Sequence, residues 1–153
     1  MEIKMQKKNV RIQKLNEKAI VPSYGSPCAA GADLYAFTEG ETITINPHET
    51  KFIHTGIAME IPDGLVGLIY ARSGIACKRS LAPANKVGVI DSDYRGEIMV
   101  ALHNHSEEIQ QIEDGERIAQ IVLAPYITAD FTVAESLDDT ERGAGGFGST
   151  GKH

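Results

Sequence analysis

Tryptophan is absent from this chain of 153 residues, and its two cysteines, Cys28 and Cys77, stand far apart without a CxxC spacing. Isolated thiols make neither a zinc framework nor a redox pair, and we expect both to be buried and unpaired. No apolar run is long enough to span a bilayer, and the first residues lack an apolar signal segment, so we expect a cytoplasmic location. The formal net charge of −6 has the wrong sign for general nucleic-acid binding. These absences predict a protein with neither membrane nor nucleic-acid partners.

Glycine and short apolar runs are, by contrast, abundant. Fifteen glycines punctuate many short runs of Val, Ile and Leu, a composition typical of an all-β barrel or sandwich. The length suits one domain with a moderate core. The one predicted helix covers residues 73–78, with Ser73 as its N-cap. The predicted strands cover residues 9–15, 33–37, 41–45, 51–61, 65–70, 86–90, 97–104, 117–123 and 131–134.

The strand pattern stops after Asp138. The last fifteen residues are polar and rich in glycine, and Phe147 is their only large apolar side chain. Such a segment cannot bury enough surface to stay ordered alone. We therefore predict a β-domain over residues 1–137 and a flexible glycine-rich arm over residues 138–153 that closes over a bound ligand.

The most informative stretch covers residues 88–97. An apolar strand end delivers Asp91 into a polar turn, Tyr94 and Arg95 follow, and a second apolar run begins at Ile98. Two strands joined by so short a turn predict a β-hairpin. A hairpin that holds a carboxylate, an aromatic ring and a cation close together predicts one wall of a functional site.

Four further segments accompany this stretch: AGADLYA at 30–36, ARSGIA at 71–76, GERIAQI at 115–121 and RGAGGFGSTG at 142–151. Together the five segments resemble the motifs of the homotrimeric dUTP diphosphatases (dUTPases), in that family's order and spacing. The resemblance implies a jelly-roll-like β-barrel that forms a homotrimer and hydrolyses dUTP to dUMP and pyrophosphate. It also implies three shared sites, each taking the hairpin from one subunit, the first, second and fourth motifs from another, and the arm from the third.

By this resemblance, catalysis falls to three residues. Asp91 would orient and deprotonate the water that attacks the α-phosphorus, a role suited to a side chain type that is ionised at neutral pH. Ser73 would polarise the oxygen that bridges the α- and β-phosphates, and Gln120 would donate to the α-phosphate or to the water. From the residues alone, Asp91 is a turn-shaping residue, Ser73 a plain N-cap and Gln120 an ordinary polar residue in an apolar strand.

The phosphates would also contact two further segments by this resemblance. Arg72 and Gly74 flank Ser73 at the start of the predicted helix, where free backbone N–H groups favour an anion. Arg142 would clamp the γ-phosphate with its planar, permanently charged guanidinium. The arm would add donors from Gly148, Ser149 and Thr150.

Base and sugar selection would fall to the hairpin. Backbone groups of the strand can match the acceptor, donor, acceptor edge of uracil, and Tyr94 would pack under the deoxyribose and exclude a 2′-hydroxyl. Phe147 would stack on the base from the arm. The other residues implied around the nucleoside are Asn85, Val89, Ile90 and Met99.

Mg²⁺ is the implied cofactor, and the three phosphates would hold it in place of direct protein ligands. Asp33, in the first motif, would hold a metal-bound water or an adjacent arginine. His103 and His105 have a spacing that places both rings on one face of a strand, but no third ligand is apparent nearby, and we do not predict a metal site there.

Two alternatives remain open. A dCTP deaminase shares the implied fold and needs a glutamate at the pyrimidine, and Glu97 is near that region, although the deaminase's own motifs are absent. A catalytically idle trimer used as a binding module would have no need to keep Asp91, Ser73 and Gln120. Pyrophosphate release from dUTP, dCTP, dTTP and UTP, offered separately, distinguishes these functions.

Overall fold

β-strands dominate the regular structure. A computed structural model describes residues 7–146, which form eleven strands and one α-helix. The helix α1 covers Ser73–Arg79, and within residues 7–146 no helix has the length and apolarity needed to cross a membrane. The prediction of an all-β fold with one short helix is confirmed. The strands are β1 (Arg11–Lys14), β2 (Ser23–Tyr24), β3 (Ala32–Tyr35), β4 (Ile43–Ile45), β5 (Thr50–Glu60), β6 (Leu65–Tyr70), β7 (Leu81–Pro83), β8 (Gly88–Ile90), β9 (Glu97–Asn104), β10 (Gln110–Ile112) and β11 (Arg117–Pro125).

Two larger sheets share one hydrophobic core. One has the strand order β1-β5-β9-β7, the other β2-β3-β11-β6-β8, and β10 pairs separately with β4. Leu34 on β3, Ile57 on β5 and Ile98 on β9 are fully buried in the same apolar cluster, so side chains of both sheets meet there. Two antiparallel sheets around one core agree with the predicted jelly-roll-like architecture.

Two of the longer strands are predicted to the residue, and three of the five strands of two or three residues are missed, whereas β4 and β8 fall within predicted strands. β6 and β9 begin and end at the predicted residues, whereas β2, β7 and β10, of two or three residues, give too little alternation to be seen. The predicted strand over residues 131–134 is wrong, because residues 126–146 contain neither strand nor helix and Phe131 and Val133 are more than nine-tenths exposed. The boundary between domain and arm at residue 137 stays a prediction.

The stretch over residues 88–97 is not a hairpin. β8 pairs with β6 in the five-stranded sheet, whereas β9 pairs with β5 and β7 in the four-stranded sheet. The Asp91 loop, residues 91–96, therefore crosses from one sheet to the other. Each apolar run finds its ladder partners in a different sheet, so neighbourhood along the chain does not decide the pairing here.

The helix start also differs from the prediction. Arg72 is the N-cap, with φ −89° and ψ 137°, and no side chain caps the helix. Ser73 is therefore not the N-cap but the first residue of α1. Arg72 keeps the extended backbone of the preceding strand, so the helix can begin only at Ser73, and the buried Ile75 anchors it to the core.

Both cysteines are exposed and unpaired, so the prediction that they are buried is wrong. Cys28 lies in the turn region between β2 and β3, where no core forms. Cys77 lies on α1, of which only Ile75 is buried.

Candidate active site

A cavity of about 250 Å³ opens between β8, the Asp91 loop and β9. We call it the Asp91 cavity. Phe52 on β5, Ile69 on β6 and Pro83 on β7 extend its apolar wall. The structure thus brings the residues predicted around the nucleoside into one wall: Asn85, Val89, Ile90, Asp91, Tyr94 and Met99.

One wall of the Asp91 cavity is a sheet edge. β8 is the outer strand of its sheet, and among residues 7–146 only β6 pairs with it. A Cβ atom on Gly88 would lie 3.1 Å from Cβ of Ile69 and 3.4 Å from Nδ2 of Asn85, so glycine allows close packing of the backbone. The free edge of β8 therefore presents backbone donors and acceptors next to an amide side chain.

The Asp91 side chain is exposed at the start of the loop. The backbone N–H of Tyr94 donates to the carbonyl oxygen of Asp91 at 3.2 Å, and this main-chain bond closes the turn. Within residues 7–146 the Asp91 carboxylate accepts no hydrogen bond, which argues against a purely turn-shaping role. The carboxylate is left available to a ligand.

Tyr94 folds back over the next two residues. Its hydroxyl donates to the carbonyl oxygen of Glu97 at 3.1 Å, and a Cβ atom on Gly96 would overlap with that hydroxyl. Any larger residue at position 96 would displace the ring. The sequence Tyr-Arg-Gly-Glu therefore fixes the direction in which an exposed phenol faces the cavity.

A second group of predicted residues surrounds Asp33, whose side chain is only 12% exposed. Its Oδ1 atom lies 2.6 Å from Nε of Arg72, and its Oδ2 atom lies 3.4 Å from Nη1 of Arg117. Asp33 thus holds an adjacent arginine, one of its two predicted roles. Both of its oxygens face guanidinium groups, so the pair orients cationic side chains at the end of β6.

Gln120 lies on β11 between Asp33 of β3 and Tyr70 of β6. Its Nε2 atom donates to the carbonyl oxygen of Ala71 at 2.9 Å. A Cβ atom on Gly31 would overlap with Oε1 of Gln120, so the glycine of the first motif makes room for this amide. Gln120 therefore ties the fourth motif to the backbone that leads into Arg72.

Ser73 and Gly74 are exposed in the first turn of α1. The first backbone bond of the helix runs from the N–H of Ala76 to the carbonyl of Arg72, which leaves the preceding N–H groups without helical partners. A Cβ atom on Gly74 would meet no atom within 4 Å. We call Asp33, Arg72, Ser73, Gly74 and Gln120 the Arg72 group.

Asp91 and Arg72 lie beyond opposite ends of the pairing between β6 and β8. Ile90 pairs with Gly67, and Tyr70, the last residue of β6, lies about 10 Å further along at roughly 3.3 Å per residue. The pairing is antiparallel, so Asp91 continues away from Tyr70 while Arg72 continues beyond it. Within one chain, the backbone therefore carries Asp91 and Arg72 away from each other.

Arg142 lies in neither group. It is exposed, and its Nε atom donates to the carbonyl oxygen of Gly145 at 2.8 Å. Between β11 and Arg142 the chain exposes several large apolar side chains, which have no core to enter within residues 7–146. They are Ile127, Phe131, Val133 and Leu137. The other predicted arm residues, Phe147, Gly148, Ser149 and Thr150, lie outside the described residues.

Three histidines gather at the other end of β9 from the Asp91 loop. The rings of His103 and His105 lie 4.4 Å apart, and Nε2 of His48 lies 2.9 Å from a carboxylate oxygen of Glu107. Burial, reinforced by the charges of His103, Lys86 and His48, lowers the pKa of His105 below its usual 6.5. Within residues 7–146 no group of three His, Cys, Asp or Glu side chains is placed to hold a metal ion.

The sequence makes Glu97 a candidate only for the glutamate of a deaminase. In the structure its carboxylate contacts β5. Its carboxylate oxygens lie 2.8 Å from the backbone nitrogen of Gly56 and 2.8 Å from Nδ1 of His54. Neither His54 nor Gly56 lies in any of the five motif segments. A glycine inside a long strand pattern indicates a bulge, so Gly56 signals the irregular point in β5 but not its contact with Glu97.

A dUTPase family model matches residues 17–151. The deoxyuridine 5'-triphosphate nucleotidohydrolase of Nautilia profundicola is 51% identical over 143 residues, covering 94% of this chain and 99% of that protein. The protein of the same name from Desulfitobacterium hafniense is 52% identical over 132 residues, covering 86% of this chain and 87% of that protein.

Solved structures of dUTPases are also similar to this chain. The dUTPase of Staphylococcus bacteriophage 80alpha, solved with dUPNHPP, superposes with a TM-score of 0.84 at 29% identity, covering 95% of this chain and 99% of that chain. The dUTPase of phage phi11 of S. aureus superposes with a TM-score of 0.75 at 26% identity, covering 87% and 100%.

Proposed function

Because the chain belongs to the dUTPase family, we propose that it hydrolyses dUTP to dUMP and pyrophosphate, with uracil and deoxyribose in the Asp91 cavity. Turnover of this kind keeps uracil out of DNA and supplies dUMP for dTMP synthesis. The observation that carries the assignment to residues is the cavity itself, which gathers five predicted contacts next to the unengaged carboxylate of Asp91.

Asp91 is the proposed general base. Its carboxylate is exposed at the cavity wall and is not used to close its own turn. It orients a water molecule towards the α-phosphorus and accepts a proton as that water attacks. Removing a positioned base of this kind costs about 10²–10⁴ in rate.

The free edge of β8 is the proposed reader of the base. Uracil offers an acceptor, a donor and an acceptor along one edge, and a strand edge offers the complementary backbone groups beside Val89 and Ile90. Cytosine carries an amino group where uracil has an oxygen, so buried polar groups would be mispaired. Asn85 and Met99 complete the pocket.

Tyr94 is the proposed sugar selector. Its ring is fixed over Gly96 by the bond from its hydroxyl to Glu97, and it lines the same cavity as Asp91. A ring held in this way leaves no room for a 2′-hydroxyl under the deoxyribose.

The Arg72 group is the proposed phosphate site. Arg72 supplies positive charge, Ser73 supplies a hydroxyl to the oxygen bridging the α- and β-phosphates, and Gly74 lets backbone N–H groups approach. Gln120 holds the strand end in place and donates to the α-phosphate or the attacking water. In the same chain, Arg72 and Asp91 continue in opposite directions from the pairing of β6 with β8, which supports a site assembled from two protomers.

A homotrimer with three shared sites is the proposed assembly. The exposed apolar side chains of residues 126–146 argue for a second protomer that covers them, since large exposed apolar patches mark interaction surfaces. The arm of a third protomer would bring Arg142 to the γ-phosphate and Phe147 to the base, with Gly148, Ser149 and Thr150 closing on the phosphates. The proposed location is the cytoplasm.

Mg²⁺ is the proposed cofactor. The described residues fit an ion held by substrate phosphates and waters, because both oxygens of Asp33 face Arg72 and Arg117 and no cluster of three ligands is present within residues 7–146. When bound, the ion neutralises phosphate charge. The residues of the chain bind and orient the remaining groups.

Deamination of dCTP is the less favoured function. Glu97, the candidate for it, is engaged by Gly56 and His54. Ammonia release from dCTP would restore this alternative, and absence of any turnover by a folded trimer would indicate a binding module.

The first experiment measures pyrophosphate release with Mg²⁺ and dUTP, dCTP, dTTP or UTP offered separately. Rapid release from dUTP alone is expected. Asp91→Asn should lose about 10²–10⁴ in kcat while staying folded, and Asp93→Asn, an exposed neighbour in the same loop, should not. Near-normal turnover by Asp91→Asn would overturn the assignment of the base.

A further inference from the structure

The carboxylate of Glu97 joins the wall of the Asp91 cavity to an irregular point in β5. One oxygen accepts from the backbone N–H of Gly56 and the other lies 2.8 Å from Nδ1 of His54. An ionised carboxylate only accepts hydrogen bonds, so the Nδ1 atom of His54 carries the proton. The side chain of Glu97 is 21% exposed, whereas that of His54 is 58% exposed, so the acid is the inner member of the pair.

The irregular point is a bulge between β5 and β9. His54 pairs with Met99 and Ala58 pairs with Glu97, so three residues of β5 stand opposite Ile98 alone. Gly56 lies within this bulge at φ +70°, and a Cβ atom there would lie 2.7 Å from Cβ of Ala19. Only glycine can occupy such a position without strain.

Side chains replace the ladder bonds that the bulge removes. The N–H of Gly56 donates to Glu97, and the hydroxyl of Thr55 donates to the carbonyl oxygen of Ile98 at 2.5 Å. Bulges re-aim the residues beside them and are frequent next to active sites. Here the segment whose direction changes is the start of β9, where the Asp91 loop ends.

The main chain of Glu97 also contacts the Asp91 loop. The Tyr94 hydroxyl donates to the Glu97 carbonyl, and the Tyr94 N–H donates to the Asp91 carbonyl. A rotation of the Glu97 backbone would therefore move the phenol first and Asp91 with it.

We propose that Glu97, held by His54 and Gly56, is a positioning residue that fixes the Asp91 loop and thereby sets the selection of deoxyribose over ribose. This inference rests on the proposed function of the Asp91 cavity. Glu97 acts through Tyr94 rather than on substrate, because its carboxylate is already engaged by two donors.

The test uses steady-state kinetics of the full chain with dUTP and UTP. Glu97→Ala should lower kcat for dUTP about tenfold to a hundredfold, since displacement of a site by about 1 Å can cost that much. The preference for dUTP over UTP should fall by about tenfold, because the main-chain carbonyl of residue 97, which accepts from the Tyr94 hydroxyl, is no longer held in place. Glu97→Gln keeps an acceptor for Gly56 and should stay within about threefold of wild type in both quantities.

A matched control lies at the other end of the sheet. Glu107 pairs with His48 at 2.9 Å, the same chemistry at an exposed site that does not line the cavity. Glu107→Ala should leave kcat and the dUTP preference unchanged.

Retention of the wild-type preference by a folded Glu97→Ala would overturn the inference, because a merely stabilising residue would change only the unfolding midpoint. If Glu97→Ala does not fold, Glu97→Asp and His54→Ala take its place. The shorter acid cannot reach both donors, and the exposed imidazole is removable without opening the core. An unchanged preference in both would equally overturn the inference. Failure of the proposed function is a separate result, because it would appear as no release of pyrophosphate from dUTP by the folded wild-type chain.

Discussion

Asp33 and Arg72 form the closest ion pair at the end of β6, with Oδ1 2.6 Å from Nε. The pair is largely buried, and Arg117 approaches the other oxygen at 3.4 Å. Two arginines beside one aspartate give this part of the surface a local excess of positive charge, in a chain whose net charge is −6. An acidic protein that binds a polyphosphate must concentrate its cations locally in this way or recruit a metal ion.

Asp33→Asn should weaken both phosphate binding and the fold. Removing the carboxylate charge leaves two guanidinium groups without their acceptor, which should cost about 1–3 kcal/mol in the free energy of unfolding. Because Arg72 loses its fixed orientation, KM for dUTP should rise about tenfold. Urea denaturation and steady-state kinetics measure the two effects. Asp63→Asn, at an exposed turn, should change neither, and an unchanged KM in Asp33→Asn would remove the positioning role.

Mixed trimers should recover activity that the parent variants lack. Asp91→Asn spoils the cavity and Ser73→Ala spoils the phosphate site, so each homotrimer should be nearly inactive. If sites are shared, random mixing at equal amounts should restore about one quarter of the wild-type sites. The measurement is dUTP turnover after the two proteins are unfolded and refolded together. No recovery from trimers shown to be mixed would place each whole site within one protomer.

Gly31→Ala should reduce activity with little loss of stability. The added Cβ overlaps with Oε1 of Gln120, which can rotate away but then leaves the carbonyl of Ala71. We expect kcat to fall about tenfold, as Gln120 no longer holds the strand end. Gly25→Ala is the matched control, because a Cβ there meets nothing within 4 Å. Equal kinetics for the two variants would contradict this view of Gln120.

Stability should fall as the pH falls below about 6.5, partly because of His105. Burial and nearby cations lower the pKa of His105, so the unfolded chain binds a proton before the folded chain does. Above the usual pKa of 6.5 both states are neutral and the group contributes nothing to the pH dependence. The loss therefore begins as pH falls through 6.5 and is complete below the lowered pKa.

His105→Gln should flatten this decline. Urea midpoints at about pH 7.5 and about pH 5.5 measure it, and the variant should lose less between the two than wild type does. Lys18→Gln, at an exposed position distant in sequence from His105, should show the same decline in the urea midpoint as wild type. A decline of equal size in His105→Gln would assign the pH dependence to other groups.

Much of the fold and site could be predicted because the signals were local. β6 is a run of six residues without a polar side chain other than the Tyr70 hydroxyl, and it follows the turn residues Pro62, Asp63 and Gly64. β9 is a strand of eight residues in which buried and more exposed positions alternate. The residues of the Asp91 cavity follow from motif resemblance, and the structure gathers them in one wall. The adjacent arginine of Asp33 is also found, as Arg72.

What could not be predicted depends on partners distant in sequence. The Asp91 loop crosses between sheets because β8 pairs with β6 whereas β9 pairs with β5. No turn residue in the loop indicates that β8 and β9 pair with these strands and not with each other. The contact of Glu97 with Gly56 requires the register on both sides of the bulge. A predicted strand at residues 131–134 failed because its apolar side chains have no partner within the described chain.

β8 lines the Asp91 cavity as an edge strand, so the peptide groups on its outer side have no ladder partner within residues 7–146. Peptide groups are the same at every residue, so exchanges of side chain along Gly88–Ile90 that keep the strand geometry leave the donor and acceptor pattern intact. On the proposed role of β8, base choice is carried by the main chain and is therefore insulated from point mutation. Sequence drift in this strand would then alter pocket shape without admitting cytosine. A designer who wants a cytosine-accepting variant would have to shift the strand by one residue, which no single substitution achieves.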